Sequence, residues 1–269
     1  MALGPMDRKA QPVDGMSPAE LEVFWRLHEG LLCQSPGSRA STERAFGFVP
    51  RLPESAQILD LGSGPGRQTF DLAALTPARI TAIDLLPRFI DGLNRGATER
   101  GIADRVVGRV GSMAEIDPHP GGYDLIWCEG AVYNMGFEEA LRSWPRWLAP
   151  GGCIGLSEVT WLTPDRPRAA RDFWQAEYPA MQSHAENLAC IASLGYEVLG
   201  TFPLPPEDWS AYYDPLDARI EQMREGETDS QKLAALDEAA GEARLYRESR
   251  GAYGYVFYVL RPGRTSSRP

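Results

Sequence analysis

The sequence predicts an α/β fold: a doubly wound, mostly parallel sheet with helices on both faces. Two observations predict it. Five short apolar runs between residues 58 and 157 alternate with segments of helical periodicity, the pattern of repeated βα units. The runs are apolar along most of their length, as strands covered on both faces must be. A third observation, a glycine-rich turn at 62–66 between the first run and a helix start, marks where the chemistry should sit.

Residues 1–16 are rich in proline and glycine, have no periodicity and are expected to form a loose tail. Ser17-Pro18-Ala19-Glu20 reads as a helix start, with an N-cap, a proline at the first helical position and a glutamate three residues after the cap. Leu21, Phe24, Trp25, His28 and Leu32 follow at helical spacing. A short helix is expected over 41–48, ended by Pro50. Strand 58–61 then leads through the glycine turn into helix 67–75, and strand 80–84 into a helix over 87–100. Strands 106–110 and 123–128 come next, then helix 137–148, and Pro150-Gly151-Gly152 punctuates the entry to strand 153–157. Beyond lie helices 167–178 and 185–194, strand 196–202, a polar amphipathic stretch over 209–250 with Gly226 as its candidate break, and an alternating strand at 253–260. Neither a repeat nor a linker divides the chain, so a single domain is expected over 17–262, with flexible tails at 1–16 and 263–269.

Of 269 residues 43% are hydrophobic and 24% charged, which excludes a disordered, collagen-like or coiled-coil chain. The net charge of −10 repels phosphate backbones, and no run of five bases offsets it, so a nucleic-acid partner is not expected. No apolar run approaches the ~20 residues of a membrane span, and residues 1–16 lack the apolar core of a signal peptide, so a cytoplasmic location is expected. Cys33, Cys128, Cys153 and Cys190 are widely spaced with no CxxC, which argues against a zinc site or a redox dithiol; no metal is expected. Cys128 and Cys153 lie in apolar runs and read as small core residues.

The run Ile58-Leu59-Asp60-Leu61-Gly62-Ser63-Gly64-Pro65-Gly66 is strand, turn and helix start in nine residues. Glycines let the backbone turn sharply and let a ligand approach it, and the helix start behind offers free N–H groups. The spacing is G-x-G-x-G: Arg67 stands where a dinucleotide fingerprint needs glycine, and the GK[ST] of a phosphate-binding loop is absent. Asp60 would repel a pyrophosphate and suits an ammonium group instead.

At these residues the chain resembles the class I S-adenosylmethionine (SAM)-dependent methyltransferases, well over 51–162 and loosely elsewhere. The resemblance implies a Rossmann-like, seven-stranded sheet with an antiparallel last strand, and SAM as cofactor with S-adenosylhomocysteine as product. The family's glycine loop and preceding acid hold the methionyl part of SAM; the matching positions are Asp60, Gly62, Ser63, Gly64 and Gly66. Asp84 matches the acid that binds both ribose hydroxyls, and Leu85 would pack on the adenine. Ser112 replaces the aspartate that often takes the adenine amino group, with Met113 placed to stack on the ring. The segments 126–131 and 148–152 match the fourth strand and the turn before the fifth, and 129–137 is similar to ubiquinone/menaquinone C-methyltransferase-type enzymes. On this reading 17–50 are N-terminal helices, 51–162 the SAM-binding core, 163–251 a lid and acceptor region, and 252–262 the last strand.

Acceptor candidates should stand at the carboxyl ends of the fourth and fifth strands. Glu129 either orients the SAM ammonium or binds an acceptor amine, or is simply paired with an arginine. Tyr133 and Asn134 follow on the same loop, and Glu158 and Trp161 are expected to end the fifth strand. Glu129, Tyr133 and Glu158 are the candidates for catalysis. Trp161, Trp174 and Tyr178 belong to a group of aromatic residues that would line a lid, where an apolar or aromatic acceptor fits, as does a cation held over rings. His184 is a candidate base, His28 a core or rim residue, His119 an exposed turn and Arg67 a solvated helix-start residue. The expected activity is methyl transfer to a small, partly apolar or aromatic molecule; an RNA or protein methyltransferase and a non-catalytic SAM-binding protein are the alternatives. A homodimer is left open.

Overall fold

All seven expected strands join one sheet in a computed structural model, which describes residues 15–263. In chain order the strands are β1 (Gln57–Leu61), β2 (Arg79–Asp84), β3 (Val106–Val110), β4 (Tyr123–Cys128), β5 (Leu148–Trp161), β6 (Tyr196–Pro203) and β7 (Tyr253–Pro262). They lie in the order β3-β2-β1-β4-β5-β7-β6, parallel throughout except for β7, which runs antiparallel between β5 and β6. The chain winds outward from β1 through β2 to β3, then returns to place β4 on the other side of β1. At such a reversal the connections after β1 and β4 leave in opposite directions and open a crevice at the strands' carboxyl ends.

The helices are α1 (Pro18–Leu27), α2 (Arg39–Phe46), α3 (Arg67–Leu75), α4 (Pro87–Glu99), α5 (Phe137–Ser143), α6 (Arg168–Glu177), α7 (His184–Ser193), α8 (Pro206–Arg224) and α9 (Ser230–Glu248). The predicted capping box opens α1: Glu20 donates its backbone N–H to Ser17 Oγ at 3.3 Å, and Ser17 donates its own to Glu20 Oε2 at 2.6 Å. Two apolar layers cover the sheet. One contains Trp127, Phe202 and Phe257, the other Phe137, Trp144 and Tyr258.

Three expectations differ from the structure. The second helix starts at Arg39, because Ser38 caps it by accepting from Ser41 N. α5 stops at Ser143 instead of reaching 148: Pro145 has no N–H to continue the α pattern, and the chain passes into a 3₁₀ turn, Trp144–Trp147. β5 is 14 residues long and takes in both Pro150-Gly151-Gly152 and the polar stretch after Ser157, pairing with β7 from Ile154↔Leu260 to Trp161↔Tyr253. The 209–250 stretch is two helices, with Gly226 at φ 74° in the connection. The tail expectations lie outside the described residues except at 15, 16 and 263, where Gly263 donates to the Gly195 carbonyl at 2.8 Å.

Candidate active site

β1 ends at Leu61, and the backbone turns through Gly62 and Gly64 at φ 66° and 54°. A side chain at 62 is excluded twice: by that left-handed backbone, and because its Cβ would stand 2.5 Å from Ala131 Cβ. The loop is tied to the end of β2. Ser63 donates its N–H to the Ile83 carbonyl at 3.0 Å, and Gly64 donates to Asp84 Oδ2 at 2.8 Å. The other Asp84 oxygen accepts from Leu86 N at 2.9 Å. Burial raises the Asp84 pKa and these N–H groups lower it, so one carboxylate joins the loops after β1 and β2.

A cavity of about 250 Å³ opens over these loops. Of the sequence-predicted residues, Gly62, Ser63 and Gly64 form its floor with Asp84 and Leu85. Ser112 and Met113, then Glu129, Tyr133 and Asn134, continue the wall from the loops after β3 and β4. Trp174 reaches it from α6 and Tyr178 from the residue that ends that helix.

Five predicted residues do not stand on that wall. Asp60 is fully buried under the loop, where it accepts from Thr69 Oγ1 at 2.5 Å and Gln68 Nε2 at 3.5 Å; it braces α3 and does not line the cavity. Gly66 packs on α4, where a Cβ would lie 3.0 Å from Leu93 and Phe70. Glu158 is not at a strand tip, because β5 continues past it; it pairs with Val256 and is 1% exposed. Its carboxylate accepts from Tyr178 behind the wall. Trp161 packs edge-on against Tyr253. His184 starts α7 on the face of Tyr258, its Nδ1 3.0 Å from the Tyr258 hydroxyl.

Sequence reasoning missed Arg67. It is not a solvated helix-start residue: its side chain is 14% exposed, it lines the cavity, and its Nη2 meets Glu129 Oε2 at 2.7 Å. Glu129 Oε1 accepts from Thr42 Oγ1 at 2.7 Å and from Trp127 Nε1 at 2.8 Å. The carboxylate is thus shared among α2, β4 and α3, and the paired alternative for Glu129 is the one observed. The proximity of Thr42, 87 positions away, leaves no mark in the sequence. His28 lines the cavity; burial presses its pKa down to about 4 and outweighs its hydrogen bond to the Phe24 carbonyl, which raises it.

The buried acids make stability depend on pH. Burial pushes Asp60 up to about 7, against the lowering effect of Thr69, and pushes Glu158 up to about 8. Each folded-state pKa lies above the unfolded one, so the stabilising effect is complete at low pH and is lost as pH rises through 7 to 8. Urea unfolding should show stability falling between pH 5 and 8, by at most about 1.4 kcal/mol per pH unit for each group. Asp60→Asn keeps an acceptor for Thr69 and should flatten part of that fall; an unchanged slope would disprove the assignment.

Residues 58–152 match the model of a family described as a methyltransferase domain. A methyltransferase-like protein of Schizosaccharomyces pombe is 32% identical over 114 residues, which is 42% of this chain and 41% of that protein. YjhP of Escherichia coli is 27% identical over 175 residues, 62% of this chain and 68% of YjhP. The chain covers less than half the length of the first curated relatives it matches. A SAM-dependent methyltransferase from Geobacter sulfurreducens, solved with S-adenosylhomocysteine, superposes with a TM-score of 0.78 at 22% identity, covering 90% of this chain and 98% of that one. The domain match begins at the strand that leads into the glycine loop, so residues 58–152 are similar to a methyltransferase domain, and the strand order and the superposition give the chain the fold of the SAM-dependent methyltransferases.

Proposed function

We propose that the chain transfers a methyl group from SAM to a small acceptor held under α6, α8 and α9. The observation that carries this is one continuous cavity with the glycine loop and Asp84 at one end and rings from α6 and α8 at the other. The residues present fit the cofactor. Gln34 Nε2 and Arg67 Nε are buried N–H donors without hydrogen-bond partners, beside Gly64 and just after Gly66. They suit the carboxylate of a methionyl group. Asp84 would hold the ribose hydroxyls, and Leu85 and Met113 would pack against the adenine.

When bound, SAM supplies a methyl already activated on a sulfonium. The chain's own part is positional: holding the acceptor atom in line behind that methyl, which can supply ~7–11 kcal/mol of the barrier. The helices over the cavity exclude water. Among the described residues no helix is long and apolar enough to cross a membrane. We read the region 163–251 as the acceptor-side cover, the location as cytoplasmic, and the acceptor as a small molecule and not a nucleic acid, given the net charge of −10.

The test is titration calorimetry with S-adenosylhomocysteine, followed by a metabolite screen that reads its release from SAM. Saturable binding and turnover with at least one small acceptor are expected. Binding with no turnover against any acceptor would make this a SAM-binding protein without catalysis, and failure to bind would overturn the reading altogether.

A further inference from the structure

Away from the glycine loop the cavity changes character. Glu177 of α6 and Glu242 of α9 stand on its wall. Glu242 Oε1 accepts from the Tyr213 hydroxyl at 2.9 Å, which fixes the carboxylate. Burial raises the hydroxyl pKa values of Tyr133, Tyr212 and Tyr255, and the charge of Glu242 raises them further, so its field reaches across this half of the cavity. Trp209 stacks on Tyr255 with centroids 5.5 Å apart, and Tyr133 lies 6.0 Å from Tyr178. All four rings line the cavity.

Two carboxylates among aromatic rings have a specific chemical meaning. A neutral acceptor gains at most a hydrogen bond from acids brought into a partly buried cavity, and an anionic one is repelled. An ammonium or alkylammonium group is attracted both by the carboxylates and by the negative faces of the rings. Arg67, the one arginine on the wall among the described residues, is held by Glu129 at the opposite end. The polarity of the cavity therefore runs from N–H donors at the glycine loop to acids and rings under α8 and α9.

We propose that the acceptor is a small amine that enters as an organic cation, with Glu177 and Glu242 facing its charge and the rings of Trp209, Tyr212 and Tyr255 around it. This rests on the methyl-transfer reading of the same cavity. An amine that arrives protonated first gives one proton to a cavity carboxylate, which exposes the nitrogen lone pair. That pair forms the new N–C bond while the C–S bond of the sulfonium breaks, and its electrons stay on sulfur as the neutral thioether. The product leaves as an alkylammonium ion, so the positive charge passes from sulfur to nitrogen.

The test compares choline with 3,3-dimethyl-1-butanol, its neutral isostere, on protein saturated with S-adenosylhomocysteine. Calorimetry should give affinity for choline at least about 10-fold above that for the alcohol. Glu242→Gln should narrow that ratio while leaving S-adenosylhomocysteine affinity unchanged. In a turnover panel, amines should release S-adenosylhomocysteine and phenols and carboxylic acids of similar size should not. S-adenosylhomocysteine binding with equal affinity for choline and the alcohol, or turnover with phenols alone, overturns the amine assignment and leaves methyl transfer standing. No binding of S-adenosylhomocysteine overturns both. The isostere comparison is made on the unaltered protein and so does not depend on the folding of a variant.

Discussion

Glu129→Ala is expected to lower stability by about 3–5 kcal/mol, the usual cost of breaking a buried ion pair by removing one partner. Three donors lose their acceptor together: Arg67 Nη2, Thr42 Oγ1 and Trp127 Nε1. The arginine is left in a wall where it is 14% exposed, with Asp71 at 3.6 Å as its remaining ion-pair partner. Glu129→Gln keeps the size and one carbonyl acceptor and should cost clearly less. Urea unfolding near neutral pH measures both. Equal stabilities for wild type and Glu129→Ala would show that the network holds nothing in place.

Asp84→Ala should have the largest effect on cofactor affinity, weakening S-adenosylhomocysteine binding roughly 10- to 100-fold, or about 1.4–3 kcal/mol. Part of that loss is direct, because the ribose hydroxyls lose their acceptor. Part is structural: Gly64 N and Leu86 N are left without the carboxylate that fixes the loops after β1 and β2. Asp84→Asn separates the two, since one amide oxygen can still satisfy one backbone donor while the charge is gone. Calorimetry on both variants is the measurement, and an unchanged dissociation constant for Asp84→Ala would refute this placement of the ribose.

The parts of the site legible in the sequence are those built from neighbours in the chain. The glycine loop, Asp84 and the segment 129–134 follow directly from strand ends, and a strand end is visible as an apolar run meeting a glycine or an acid. What was not legible depends on where side chains point and on distant packing. Asp60 lies on the same loop-strand unit, yet it turns toward Thr69 and Gln68 beneath the loop. Glu158 was expected at a tip because Ser157, Glu158 and Thr160 break the apolar run, whereas β5 continues through them with β7 alongside. Glu242 carries no local signature and meets the cavity only because α9 packs where it does, and Arg67, although it opens α3 right after the glycine loop, is drawn into the wall by Glu129 from a distant strand end.

The position of β7 bears on how the molecule is made. Its ten residues, Tyr253–Pro262, lie inside the sheet between β5 and β6 and bring Tyr255 to the cavity wall. A ribosome therefore releases β5 and β6 long before the element that joins them exists, and both must wait with unsatisfied edges. The nascent chain can condense around the first four strands early. Its acceptor half, by contrast, assembles only after the last strand emerges, so a truncation that spares every cofactor contact would still leave a protein without a finished pocket.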